Sequence, residues 1–362
     1  MANPIKRLFD LYTSDLSFDE IQRLIKKESA EVYQFFAADI PKPDQTRNKF
    51  VRFIIFLRNL FNAFLMKLTP ARRIFYLVAV FFFIVGYIQV NNFYMFFGFV
   101  IVNVLLAFEV ADKLATKNEL DLARKIQNTL LPQESPKNKN YSISFSYESA
   151  REVGGDYIDF FAKNGNELIV IGDISGKGIA AALYMVRVQA ILNLLTDTFD
   201  DLKEVVVNLK KYFSTKLSRE FFLTLTAVKI FDDGKINMIR AGHPPVLYFK
   251  KSSNEICEIN SKGMGIGFND KGLFEKTLEV SEIEVETGDI LLLYTDGITE
   301  AMNEAKMQYG IDRMKKVIQN NSEKTVEEIK EKLNRSIKAF VGQADPNDDI
   351  TFILLKKENH SS

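Results

Sequence analysis

Charged and apolar positions divide the chain into stretches of different texture. From Ile74 to Phe108 there are 35 residues without a single Asp, Glu, Lys, Arg or His, and Phe, Val, Ile, Leu and Tyr dominate them. A polar break, Gln89-Val90-Asn91-Asn92, interrupts this run near its middle. It leaves two spans of about 16 or 17 residues, near the short end of what crosses a bilayer core. The pattern predicts a transmembrane helical hairpin over 74–108 with a tight outer turn. A buried pair of core helices is the alternative, but water-soluble cores rarely run so far without a charge. Lys67, Arg72 and Arg73 precede the run and Lys113 and Lys117 follow it. Basic residues on both flanks place both ends, and everything attached to them, on the cytoplasmic side of the inner membrane.

The flanking stretches are amphipathic rather than apolar. Residues 1–40 read as a polar helical segment with Ile21, Leu24, Ile25 and Tyr33 as a modest stripe, closed by Pro41 and Pro43. Residues 50–68 mix Arg52, Arg58 and Lys67 with many apolar side chains, as a helix lying on a membrane surface does. Together 1–73 form a cytoplasmic N-terminal segment. After the hairpin, 109–137 is a linker: Leu114, Leu122, Ile126 and Leu130 fall at multiples of four, which suits a short coiled coil or a plain spacer helix, and Pro132 begins a polar connection.

From 138 to 358 the texture changes again. Tyr141 to Tyr147 alternates apolar and polar residues, the period of a half-buried strand. Further strands are predicted at 157–162, 167–172, 222–230, 235–240, 245–249, 273–280, 289–294 and 350–356. Helices are predicted at 178–196, 200–219, 310–320 and 325–341. Short turns between strands, with helices in two pairs, point to an α+β domain on antiparallel sheets.

Composition narrows the chemistry. The 47 basic and 47 acidic side chains cancel, so nothing in the total suggests nucleic acid, although 1–73 is basic and the remainder acidic. Cys257 is the sole cysteine, which excludes an intrachain disulfide and fits a reducing compartment. With only His243 and His360, a histidine-rich zinc site and a Ser-His-Asp hydrolase are both disfavoured. The first 25 residues lack the continuous apolar core of a secretory leader.

Four aspartate turns remain to carry chemistry: Val153-Gly154-Gly155-Asp156, Gly172-Asp173-Ile174-Ser175-Gly176-Lys177-Gly178, Thr295-Asp296-Gly297, and Asn347-Asp348-Asp349-Ile350-Thr351. Each puts a carboxylate at a predicted strand end. Any one Asp-Gly is most often a plain turn. Carboxylates gathered from separate strand ends, however, repel one another unless a cation lies between them. Hard Mg²⁺ or Mn²⁺ prefers carboxylate, carbonyl and water ligands, and two such ions can activate a water and polarise a phosphoryl group.

In order and spacing these turns resemble the metal-dependent protein phosphatase family (PPM, or type 2C), in its SpoIIE/RsbU branch. The resemblance runs from about Asp121 to Leu355. It takes in the helix Ala123-Arg124-Lys125-Ile126-Gln127-Asn128-Thr129-Leu130-Leu131-Pro132, the four turns, and Ala241-Gly242-His243-Pro244-Pro245. It implies an antiparallel β-sandwich flanked by helix pairs, with two or more Mn²⁺ or Mg²⁺ ions at one end. By that likeness Asp156 and Asp173 hold the bridged pair with the Ile174 carbonyl, and Asp296 and Asp348 complete one ion, Asp349 being the neighbouring alternative to Asp348. It further implies direct hydrolysis of phosphoserine or phosphothreonine by an activated water, on a small STAS-type anti-sigma-factor antagonist, in a homodimer controlled through the linker. Arg151, five residues before Asp156, stands where some relatives bind phosphate; a plain surface charge is the other reading. Lys177 replaces a histidine found in many relatives and is not expected to ligate metal. His243 reads as structural.

Rival chemistries fit poorly. No Arg follows Cys257 at the spacing of a thiol phosphatase, and Gly172–Gly178 lacks the Ser or Thr after Lys177 that a P-loop needs. The rival from another class is a non-catalytic membrane scaffold using a phosphatase-like domain to bind a partner. Loss of a metal aspartate would favour it, and none is lost.

Overall fold

A computed structural model describes residues 49–214, 221–268 and 272–358. The helical segment expected within 1–40, and the end of the helix expected to reach 219, lie outside the described residues. The chain divides into two compact units, 1–115 and 116–362.

In the first unit, α1 spans Lys49–Lys67, α2 spans Pro70–Ile88 and α3 starts at Asn92 and runs to Leu130 in the second unit. Proline at the first turn of α2 costs no hydrogen bond, because that N–H would be unpaired anyway. The break at 89–91 is a tight turn closed by Asn91, whose side-chain oxygen accepts the Phe93 N–H at 3.0 Å. α2 and α3 approach closely where side chains are absent: a methyl on Gly98 would meet the Ala79 carbonyl at 3.0 Å, and one on Gly86 would meet the Met95 nitrogen at 2.9 Å. Small residues of this kind let apolar helices pack without help from water. At the charged end Arg72 pairs with Glu109 at 2.9 Å and with Asp112 at 2.5 Å. Three described helices are long and apolar enough to cross a membrane by length and composition: α2, α3 and the later Ile179–Thr198.

The second unit is two five-stranded sheets. β1 (Tyr141–Glu148), β10 (Ile350–Lys357), β9 (Ile290–Tyr294), β6 (Val246–Lys250) and β7 (Glu255–Ile259) form one in that order. β2 (Asp156–Lys163), β3 (Asn166–Ile174), β4 (Leu223–Ile230), β5 (Ile236–Ala241) and β8 (Val280–Ile283) form the other. Every pairing between these strands is antiparallel. Helices α4 (Ile179–Thr198) and α5 (Leu202–Ser214) cover the β3 sheet; α8 (Ile311–Asn321) and α9 (Val326–Val341) cover the β10 sheet. Successive side chains of a strand point to opposite faces, so the central strands feed two cores at once. Ile169 and Ile171 of β3 meet Ile353 and Leu355 of β10 between the sheets, while Leu168 and Val170 face α4 and α5, and Phe352 and Leu354 face α8 and α9. Burial on both faces explains the unbroken apolar run Ile290-Leu291-Leu292-Leu293-Tyr294. α9 begins on a reciprocal cap between Thr325 and Glu328.

Two local readings need correction. The strand predicted at 273–280 is instead a short helix, α6 (Leu273–Thr277), with β8 starting only at Val280. Phe274 and Leu278, four apart, both bury in the core under α4 and α5, so the apolar spacing there is helical. β7 was not predicted. It is an edge strand with Glu255, Glu258 and Cys257 largely open to solvent, and so carries little apolar alternation; charge on an edge also discourages pairing with other chains.

Candidate active site

The sandwich architecture gathers the four aspartate turns at one end. Asp156 opens β2 and Asp173 closes β3, and the two are direct cross-strand partners. In the other sheet Asp296 follows β9 as the first residue of α7 (Asp296–Glu300), while Asp348 and Asp349 lead into the adjacent β10. The sheets are stitched across this end: Thr295 Oγ1 donates to Asp156 Oδ2 at 2.9 Å. Asp349, only 7% exposed, accepts from the backbone N–H groups of Gly155 at 2.7 Å and Ala150 at 2.8 Å, and from the Ser149 hydroxyl at 3.3 Å. A side chain at Gly154 would displace Asp349 from its cradle, because a methyl there would lie 2.3 Å from Asp349 Oδ2 and 2.6 Å from the Tyr147 hydroxyl.

Electrostatics mark the cluster as crowded with like charge. Burial, then the charges of Asp296, Asp348 and Asp349, push the Asp173 carboxyl up to about 7. Burial and the charges of Asp173 and Asp349 hold Asp156 well above the usual carboxylate range. Asp296 is raised by desolvation and by Glu300 and Asp348. Among the described residues Lys177 brings positive charge to the cluster, its Nζ lying 2.7 Å from Asp348 Oδ2. In this side-chain arrangement no group of three or more His, Cys, Asp or Glu among the described residues converges tightly enough to grip an ion. Asp349 is turned into its backbone cradle and Asp348 toward Lys177. The donor set nonetheless fits a hard divalent cation: carboxylates crowded enough to raise three of their pKa values, a backbone carbonyl at Ile174 within 2.8 Å of where a Gly155 methyl would sit, and an ammonium drawn to Asp348.

Arg151 is exposed at the same end, with a guanidinium nitrogen 4.0 Å from where a side chain on Gly178 would begin. His243 is 2% exposed. Its Nδ1 meets the Thr224 hydroxyl at 2.8 Å, and burial together with the Arg240 charge pushes its pKa down to about 3, against a backbone hydrogen bond at Tyr294. It is a neutral structural group at physiological pH.

The site also contains residues to which sequence reasoning gave no role. Gln127, on the last turns of α3 and 4% exposed, clamps the first aspartate turn: its Nε2 donates to the Gly154 carbonyl at 2.7 Å and its Oε1 accepts the Gly154 N–H at 3.1 Å. Gln189 of α4 donates to the Leu130 carbonyl at 2.5 Å, so the end of α3 is held to α4 as well. Gln127 lies inside the resembling helix segment, but an amide on a polar helix gives no sign in the sequence of pointing inward. Thr295 was likewise visible only as the neighbour of Asp296.

Comparisons with known proteins agree with this fold. The SpoIIE family, described as Stage II sporulation protein E, matches residues 163–358. Phosphoserine phosphatase RsbU of Bacillus subtilis (strain 168) is 26% identical over 243 residues, covering 67% of this chain and 71% of that protein. Phosphoserine phosphatase RsbP of the same organism is 28% identical over 250 residues, covering 67% of this chain but only 59% of that protein. Among solved structures, the SiaA-PP2C domain of Pseudomonas aeruginosa matches with a TM-score of 0.60 at 19% identity, over 68% of this chain and 99% of that one, which shows a shared fold. With its family matched over more than half its length and its sandwich carrying the aspartates of the four turns at one end, the chain belongs to the SpoIIE family of PPM-type protein phosphatases.

Proposed function

We propose that this chain is a membrane-anchored, metal-dependent serine/threonine phosphatase that hydrolyses a phosphorylated protein at the cytoplasmic face. The observation that carries this is the meeting of Asp156 and Asp173 from one sheet with Asp296 and Asp348 from the other, crowded enough to raise three of their carboxyl pKa values. Asp156, Asp173 and the Ile174 carbonyl would hold a bridged pair of Mn²⁺ or Mg²⁺ ions, and Asp296 and Asp348 would complete one of them. Asp348 suits that role better than Asp349: it is the more exposed of the two and one of its oxygens holds only the Lys177 ammonium, the other accepting the Asp349 N–H, whereas Asp349 is buried with both oxygens on backbone N–H and hydroxyl donors. Bound divalent ions supply Lewis acidity toward the phosphoryl group and an activated water.

The protein's own groups do the rest. Asp349 and Gln127 fix the turn that presents Asp156, so the carboxylate needs no reorganisation when substrate arrives. Thr295 holds one Asp156 oxygen and so fixes the carboxylate beside Asp173. Arg151, standing at the mouth, would take non-bridging phosphate oxygens of the substrate in a bidentate fork. The relatives' names indicate phosphoserine as the group removed, and the family likeness a STAS-type anti-sigma-factor antagonist as the protein carrying it. The apolar α2 and the first part of α3 would form a two-span anchor, and pairing of two copies through the linker part of α3 would make a homodimer.

The test is phosphate release from a phosphoserine protein or peptide by the full chain in detergent micelles, with Mn²⁺ and after exhaustive chelation. Mn²⁺-dependent release is expected. Release that survives complete metal removal would refute the mechanism, and no release under any condition would leave a binding scaffold.

A further inference from the structure

Lys177 sits in the Gly176-Lys177-Gly178 turn, and the chemistry above leaves it unused. Its two glycine neighbours have φ of 98° and 73°, a left-handed backbone that side-chain-bearing residues rarely adopt. That backbone turns the lysine back over the acidic cluster. Its Nζ pairs with Asp348 Oδ2 at 2.7 Å and donates to the Asn347 carbonyl. Its charge also acts on Asp296. The lysine therefore addresses the two carboxylates from the β9–β10 sheet, while Asp156 and Asp173 lie across the sandwich from them on the other sheet. A divalent ion taking Asp296 and Asp348 would need the lone pairs that the ammonium now occupies. It would also stand a few ångströms from a like charge.

We propose that Lys177 is a tethered competitor for the divalent ion at the Asp296–Asp348 position, an inference that rests on the metal-dependent reading above. The ammonium neutralises the outer carboxylates while the position is free. It must leave Asp348 when the ion binds. The outer ion is then loaded last and most weakly, and its occupancy follows the divalent-cation concentration, whereas among the described residues no lysine or arginine pairs with Asp156 or Asp173. Lysine suits this role because its ammonium is a compact charge on a flexible stem that can swing into water.

The test is calorimetric titration of Mn²⁺ into the metal-free full chain in detergent micelles, comparing wild type, Lys177→Gln and Lys177→Arg. A half-exposed ion pair of this kind is worth up to about 1 kcal/mol, so its removal is expected to tighten the weaker binding step by roughly fivefold. The tighter step should not change. Lys177→Arg, which keeps the charge, should stay within about twofold of wild type. The gap between wild type and Lys177→Gln should shrink in roughly 0.5 M KCl, where surface pairs are screened. A Lys177→Gln protein that binds Mn²⁺ no more tightly than wild type overturns the competition while leaving metal dependence intact. Wild type that binds no Mn²⁺ overturns both.

Discussion

Replacing Asp173 by Asn should stabilise the metal-free protein while destroying its response to metal. The Asp173 carboxyl rises from 3.8 to about 7 on folding, chiefly through burial and then through Asp296, Asp348 and Asp349. A raised carboxyl binds more protons folded than unfolded. Its penalty is therefore absent below pH 3.8, grows as pH rises, and is complete above about 7. At about 1.4 kcal/mol per unit the ceiling is roughly 4 kcal/mol. Asp156 carries part of the same repulsion and titrates with it, so removing one charge of the pair should recover about 2 kcal/mol. For a unit of this size that corresponds to roughly 4–8 °C in Tm. The assay is thermal melting in chelator at pH 8, 6 and 4, then with Mn²⁺ at pH 8. Asp173→Asn should melt higher than wild type at pH 8, and the gap should close by pH 4. Mn²⁺ should raise the wild-type Tm and leave the variant unmoved. A variant no more stable than wild type at pH 8, or a gap that does not depend on pH, would refute the claim that like-charge crowding and burial dominate this site.

Other substitutions probe the remaining parts. Asp296→Asn should lower turnover of a phosphoserine peptide by several orders of magnitude with unchanged far-UV circular dichroism, since uncatalysed phosphate-ester hydrolysis is extremely slow; normal turnover in a folded variant would mean the site is misplaced. Gln127→Ala strands the buried Gly154 N–H and carbonyl; it should cost about 1–3 kcal/mol in urea unfolding and lower kcat about tenfold by loosening the Asp156 turn, and unchanged kcat would make the clamp purely structural. Asp349→Ala removes the acceptor of three backbone donors and a hydroxyl, so a loss of about 3 kcal/mol is expected, read in the same unfolding experiment. His243→Gln should flatten the acid side of the stability profile: the imidazole falls from 6.5 to about 3 on folding, so wild type loses stability as pH drops below 6.5, by about 2 kcal/mol at pH 5. Urea midpoints at pH 7.5 and pH 5 measure this, and a variant as acid-sensitive as wild type would contradict it.

Much of this protein was legible one residue at a time. The charge-free run at 74–108 announces apolar helices because a bilayer core and a folded core both exclude charge. Strands such as 290–294 declare themselves through unbroken apolar sequence, and the four aspartate turns through glycine beside a carboxylate. Elements with weak local preference were missed or misassigned: edge strand β7 is largely solvated, and α6 is too short for a period to settle between 2 and 3.6. The order and spacing of the aspartate turns made Asp156, Asp173, Asp296 and Asp348 candidates. Tertiary structure alone decided that Asp349 spends its oxygens on backbone N–H groups while Asp348 faces Lys177, that Thr295 joins the two sheets, and that Gln127 reaches across to Gly154. Adjacent aspartates look alike in a sequence, and an amide on a polar helix looks solvated. Which oxygen meets which donor depends on groups 27 to 200 residues apart, and only the packing of the sandwich brings those together.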